Sequence, residues 1–131
     1  NREIPGDITF RHARTDQLVE SQARFDFVIS NHLIHHLSVK ELKELTDQAR
    51  QLSTRKVIFN DLQRSVSAYL LFSLFVAPFF KRSFAGSDGR LSIRRSFTAR
   101  EFQRALPDGW TVHRKFPFRL IGLFDHERTS R

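Results

Sequence analysis

Residues 25–42 read FDFVISNHLIHHLSVKEL, and the fold turns on how this stretch is parsed. It begins as a strand: Phe25 to Ile29 is a short apolar run rich in aromatic and β-branched residues. It ends as a helix start. Ser38-Val39-Lys40-Glu41 is a capping box, in which a serine hydroxyl and a glutamate carboxylate satisfy backbone N–H groups of the first turn. Beyond it Val39, Leu42, Leu45, Ala49 and Leu52 recur at three- and four-residue steps and mark one apolar helix face. Ser53-Thr54-Arg55 breaks that pattern, and Lys56 to Phe59 (KVIF) reads as a second apolar strand. Strand, helix and strand within about 35 residues predict a βαβ unit with parallel strands and a right-handed crossover. Both strands are apolar runs rather than alternating patterns, as expected where helices cover both faces of a sheet.

Upstream, Ile8 to Phe10 (ITF) predicts a short strand. Downstream, Ala68 to Phe80 (AYLLFSLFVAPFF) is apolar all round. It falls short of the ~20 residues that a bilayer requires, and Pro78 interrupts it. It reads as a buried helix, as a lid over an apolar ligand site, or as a peripheral membrane contact helped by Lys81 and Arg82. Residues 65–96 are accordingly a candidate lid or insertion. Gly86 to Gly89 (GSDG) predicts a turn. Thr98-Ala99-Arg100-Glu101 is a second capping box, opening a short helix with Phe102, Ala105 and Leu106 inward, and Pro107-Asp108-Gly109 ends it. Trp110 to Val112 and Phe116 to Phe124 predict a C-terminal antiparallel hairpin joined through His113-Arg114-Lys115. The final HERTSR reads as a frayed tail.

The bulk composition sets outer limits. A chain of 131 residues, 40% hydrophobic, suits a single domain over residues 1–131. Fourteen Phe against one Trp, one Tyr and no Met supply large apolar area without polar tips, for a thick core or an apolar pocket. The absence of cysteine removes disulfides, thiolate metal sites and cysteine nucleophiles together, and agrees with a reducing, cytoplasmic setting. The net charge is +8, but the basic residues are scattered from Arg11 to Arg114 rather than clustered, so nucleic acid is not the expected partner. The start, NREIPGDI, shows no signal peptide, and its lack of an initiator Met points to a sequence that begins inside a longer chain.

In open parallel sheets, ligands bind beyond the carboxyl ends of the strands. Two such exits are polar here, Ser30-Asn31-His32 and Asn60-Asp61-Leu62. At these residues the chain resembles the class I S-adenosylmethionine-dependent methyltransferases. FDFVISNHLIHHLSVKEL is similar to their fourth strand and following helix, RKVIFNDL to their fifth strand and its exit, and SFTAREFQRALPDGW with the final hairpin to their last helix and antiparallel strand pair. NDLQR with the later DGRLSIRRSFT further resembles a bacterial branch acting on small or lipid-like molecules. The resemblance implies an α/β fold: a partial Rossmann-like methyltransferase sheet of parallel strands, helices on both faces and a C-terminal antiparallel hairpin. It also implies methyl transfer from S-adenosylmethionine to oxygen or carbon of a small, fairly apolar acceptor.

The same resemblance implies roles for single residues, each with a plainer alternative. Ser30 and Asn31 would lie against the cofactor; otherwise they are a hydrogen-bonded strand terminus. His32 would orient or deprotonate the acceptor, or is a surface histidine at a helix start. Asp61 would contact the acceptor, or serves a turn or cap. His36, Arg64, Phe72 and Arg95 are candidates for binding the acceptor; packing for His36 and Arg95, solvation for Arg64 and core burial for Phe72 are the alternatives. No metal is expected: there is no H-E-x-x-H pattern and no third ligand beside the histidines. A [DNS]-P-P-[YF] exit, used by exocyclic amino-group methyltransferases, is absent, as is a G-x-S-x-G elbow.

The sequence also departs from the family. Its glycines are Gly6, Gly86, Gly89, Gly109 and Gly122, so no G-x-G loop can bring backbone close to the cofactor. No acidic residue matches the family's ribose ligand, and Arg14 stands where many relatives carry an Asp near the adenine, with Asp16 two residues late. The 131 residues are therefore expected to be inactive alone. In this fold the first strand lies beside the fourth, so the Phe25–Ile29 strand is left with an open edge that recruits a partner, giving a homodimer. The alternative function is a non-catalytic methyltransferase-like module for binding or dimerisation.

Overall fold

The computed structural model describes residues 8–76, 79 and 85–129. The readings placed on Gly6, Pro78, Phe80, Lys81, Arg82 and the last two residues lie outside the described residues. The chain folds as α/β around a four-stranded mixed sheet. In chain order the elements are α1 (Thr15–Glu20), β1 (Phe25–Asn31), a 3-10 turn (Ile34–His36), α2 (Val39–Leu52), β2 (Ser53–Leu62), α3 (Val66–Leu71) and a π-turn (Phe72–Val76). Then follow α4 (Ala85–Arg95), α5 (Ala99–Ala105), β3 (Trp110–Lys115), β4 (Arg119–Asp125) and α6 (His126–Thr129).

The strand order is β1-β2-β4-β3. β1 and β2 are parallel, with Val28 opposite Val57 and Asn31 opposite Asn60. β2 and β4 are antiparallel, with Phe59 opposite Gly122, and β3 pairs antiparallel with β4. The two capping boxes form: Glu41 and Glu101 each accept from the backbone N–H of their cap residue at 2.8 Å, and Ser38 and Thr98 each accept from the return N–H at 3.3 Å. These local bonds fix where α2 and α5 begin.

One face of the sheet carries the core. Val57, Phe59, Leu120, Phe124 and Trp110 pack there against Leu42 and Ala49 of α2 and Phe102 of α5. Gly122 allows this approach, because a Cβ at that position would lie 3.0 Å from the Phe102 ring. Among the described residues the other face is not covered as the sequence implied. Its residues Phe27, Ile29, Ile58, Ile121 and Leu123 are exposed or half-buried, and α2 and α5 both lie on the core side. With one face packed and one open, burial along β2 alternates from Lys56 onward, which is why its apolar run misleads.

Other local expectations are corrected. Residues 8–10 form no strand, and Ile8 and Phe10 are exposed. The helix pattern does break at Ser53-Thr54-Arg55, since α2 ends at Leu52, but those three residues already belong to β2, which begins at Ser53 rather than Lys56. The segment from Ala68 is not a buried helix, since Leu70, Leu71, Leu74 and Phe75 are exposed. Gly86 to Gly89 is not a turn but part of α4, where the Phe72 ring lies so close to Gly89 that an added Cβ would meet its Cζ at 2.2 Å. The hairpin turn is Phe116 to Phe118, three residues later than predicted. Pro117 cannot donate to a strand ladder, and Phe118 takes the left-handed conformation (φ 51°) that closes a three-residue loop. His126 to Thr129 is helical rather than frayed, with the His126 Nε2 2.9 Å from Ser53 Oγ. Among the described residues no helix is long and apolar enough to cross a membrane.

Candidate functional site

Because β1 and β2 run parallel, their carboxyl ends meet at one edge of the molecule, and the Asn60 Nδ2 donates to Asn31 Oδ1 at 2.7 Å across that edge. The chain leaves β1 through His32, whose φ of 55° is left-handed, a conformation few non-glycine residues hold without support. Support comes from its own N–H, which donates to Asn60 O at 2.9 Å. This bend turns the chain into the 3-10 turn, and Ile34 anchors the turn in the core.

Asp61 fastens the turn from the other strand. It is 4% exposed. Its Oδ2 accepts from the His35 backbone N–H at 2.8 Å, and its Oδ1 is 2.7 Å from His35 Nδ1 and accepts from Leu62 N–H at 2.7 Å. Both carboxylate oxygens are thus engaged inside the protein. His35 is a site residue that reading the sequence missed. The available signal was an Asp at one strand exit facing a histidine run at the parallel neighbour's exit.

His32 and His36 remain at the surface around this buried pair. The His36 ring tilts against His35 with centroids 4.0 Å apart, and the His32 ring stands nearly perpendicular to His35 at 6.5 Å. Arg119, the first residue of β4, places its guanidinium on His32 Nε2. The pKa of His32 is held below its ordinary value, first by partial burial and then by the Arg119 charge, against a smaller opposing pull from Asp61. Arg119→Gln removes one of the two main lowering causes. Its expected result is a rise in the His32 pKa toward the ordinary histidine value, read from the imidazole C–H shifts in an NMR titration. An unchanged or lower pKa would show that the guanidinium does not act on His32.

Arg119 also lines a cavity of about 450 Å³ together with Leu62, Ala68, Phe72, Ile93 and Phe118. A second cavity of similar volume shares Ile93 and is lined by Arg64, Tyr69 and Arg94. The predicted acceptor residues Phe72 and Arg64 therefore border different cavities. Arg64 is ion-paired with Glu101. Arg95 is exposed on α4 and lines neither cavity. Ser30 is half-buried opposite Phe59 on the core side. The structure thus gathers Asn31, His32, His36 and Asp61 at the strand exits and reaches Phe72 through Arg119, while Arg64 and Arg95 stand apart. Among the described residues no group of three or more His, Cys, Asp or Glu could hold a metal ion.

Comparison of the chain with protein-family models, with curated proteins and with solved structures finds no match.

Proposed function

We propose that the intact protein is a cytoplasmic S-adenosylmethionine-dependent methyltransferase acting on oxygen or carbon of a small, fairly apolar molecule, and that this sheet is part of a Rossmann-like methyltransferase sheet. The observation that carries the reading is the shared end of β1 and β2. Polar groups there lie beside a largely apolar cavity, linked to it by Arg119, in the position where open α/β sheets take ligands.

The cofactor would supply an electrophilic methyl group, and the described residues fit only part of it. Asn60 Oδ1 is buried without a hydrogen-bond partner and could accept from an amino or hydroxyl group. Against that, Asn31 is engaged by Asn60, Ser30 is turned toward the core, and the chain has no glycine-rich loop. The reading therefore assigns these residues the acceptor side and predicts no turnover by the 131 residues alone. The bond from Arg119 requires His32 Nε2 to be an acceptor, so the neutral ring carries its proton on Nδ1. In that state His32 orients an acceptor by donating to it, while the cavity holds the acceptor's apolar body. Positioning is the main demand of an in-line displacement and can supply about 7–11 kcal/mol.

The test uses the protein encoded by the complete reading frame, with methyl-labelled S-adenosylmethionine and a panel of phenols, enols and carboxylic acids. Labelled product is expected. Failure of that protein to bind S-adenosylhomocysteine in calorimetry would overturn the reading, and tight binding by the 131 residues alone would overturn the account of an incomplete donor side.

One observation favours a second reading, a non-catalytic module for binding or dimerisation. Among the described residues β1 is an edge strand, and its Phe27 and Ile29 are 46% and 67% exposed. Apolar edges pair with other strands. The 131-residue chain is expected to dimerise in light scattering and Ile29→Lys to be monomeric; a monodisperse wild-type monomer at high concentration counts against this interface.

A further inference from the structure

We infer that the cavity beneath the π-turn is a binding site for an apolar carboxylate, with the head group on Arg119 and the hydrocarbon body among Leu62, Phe72, Phe75 and Ile93. It deepens the acceptor half of the proposed function and rests on that reading only for the claim that the bound acid is the methyl acceptor.

The cavity is assembled from the end of β2, α3, the π-turn, α4 and the hairpin turn. Its volume of about 450 Å³ lies in the range of small-molecule sites, roughly 300–1,000 Å³. Among the described residues its lining is apolar apart from Gln63 and Arg119. Phe75 and Leu71 line it yet remain 66% and 45% exposed, so apolar surface is still open to a ligand body. Phe72 is seated differently: its ring is pressed onto Gly89, where an added Cβ would lie 2.2 Å from its Cζ.

Among the described residues of the lining Arg119 is the only charged one. Its hydrogen-bond partner is the His32 imidazole, and among the described residues it forms no ion pair with a carboxylate. Arg64, by contrast, is neutralised by Glu101 in the neighbouring cavity. A guanidinium in the wall of an apolar cavity, with no carboxylate partner among the described residues, selects an anion, and its planar fork matches a carboxylate. The same group disfavours a cation, because a ligand ammonium would meet the guanidinium at close range.

Calorimetry on the 131-residue protein compares decanoate, 1-decanol and decyltrimethylammonium below their micelle-forming concentrations, with 1-naphthoate to separate an aromatic from an aliphatic body. An acid is expected to bind at least about ten-fold more tightly than decanol, and the cation more weakly than either. Arg119→Gln is expected to reduce acid binding about ten-fold and to leave decanol unchanged. Gly89→Ala, whose Cβ cannot coexist with the Phe72 ring in its present place, is expected to shift this lining residue and weaken all ligands. Equal affinity for acid and alcohol overturns the inference, as does an Arg119→Gln protein that binds acids like the wild type. The head-group series on the wild type decides the matter even if a variant fails to fold. Acid binding without methyl transfer by the complete protein leaves the site standing and removes the methyltransferase reading. Methyl transfer to neutral acceptors, with no preference for the acid, does the reverse.

Discussion

Asp61→Ala is expected to lower the unfolding free energy by about 3–5 kcal/mol in urea denaturation. The size follows from what the carboxylate holds. Three donors converge on it: the His35 N–H, the His35 ring N–H and the Leu62 N–H. His35 is itself buried, so its two donors lose their partner where water has little access. An unsatisfied buried group costs about 1–3 kcal/mol, and the three together exceed what small local shifts recover. Asp61→Asn keeps one carbonyl oxygen but turns an NH₂ toward a donor, so a loss of about 1–3 kcal/mol is expected. Native-state hydrogen exchange adds a local readout, since the His35 amide should lose protection in both variants beyond the global change. A loss under about 1 kcal/mol for Asp61→Ala would mean that the turn after β1 stands without its fastening.

The same pair shows where sequence legibility ended. Asp61 was legible as a polar group at a strand exit, because an apolar run stopping at Asn-Asp is a local signal. Its partner was not, because His35 lies 26 residues away and gains meaning only once the two strands are parallel and in register. The capping boxes were legible for the opposite reason: donor and acceptor are three residues apart, so the sequence contains the whole interaction. Gly89 was misread because glycine next to Asp88 has the signature of a turn, whereas here it serves the approach of a ring from the π-turn. The hairpin was recognised and its turn misplaced, because His113 to Lys115 is polar enough to look like a loop while Pro117 and Phe118 make the bend. Strand β1 was read correctly in direction, but its apolar run implied cover on both faces that the described residues do not supply. A hydrophobic run reports that burial is available to a segment; the partner that provides it lies elsewhere in the chain or outside it.

Phe59→Ala is expected to cost about 3–5 kcal/mol, the range for a deleted core ring. Phe59 is fully buried at the centre of β2, and its ring centroid lies 4.8 Å from that of Trp110. The cost of such a deletion depends on how far the neighbours can collapse into the void. Here they are constrained. The residue opposite on β4 is Gly122, which has no side chain to move in, and the Phe102 ring already sits against its backbone. Trp110 is held between Phe59 and Phe124, with ring centroids 5.7 Å apart on the Phe124 side. Phe59→Leu, which keeps much of the volume, should cost about 1–2 kcal/mol. The contrast with Asp61 is diagnostic. Phe59→Ala removes packing beneath the strand exits but no partner of His35, so His35 amide protection should fall only as far as global stability falls. A loss under about 2 kcal/mol would show that Trp110 or α5 moves in to fill the space, and the seat of the β2 exit would then be softer than this packing requires.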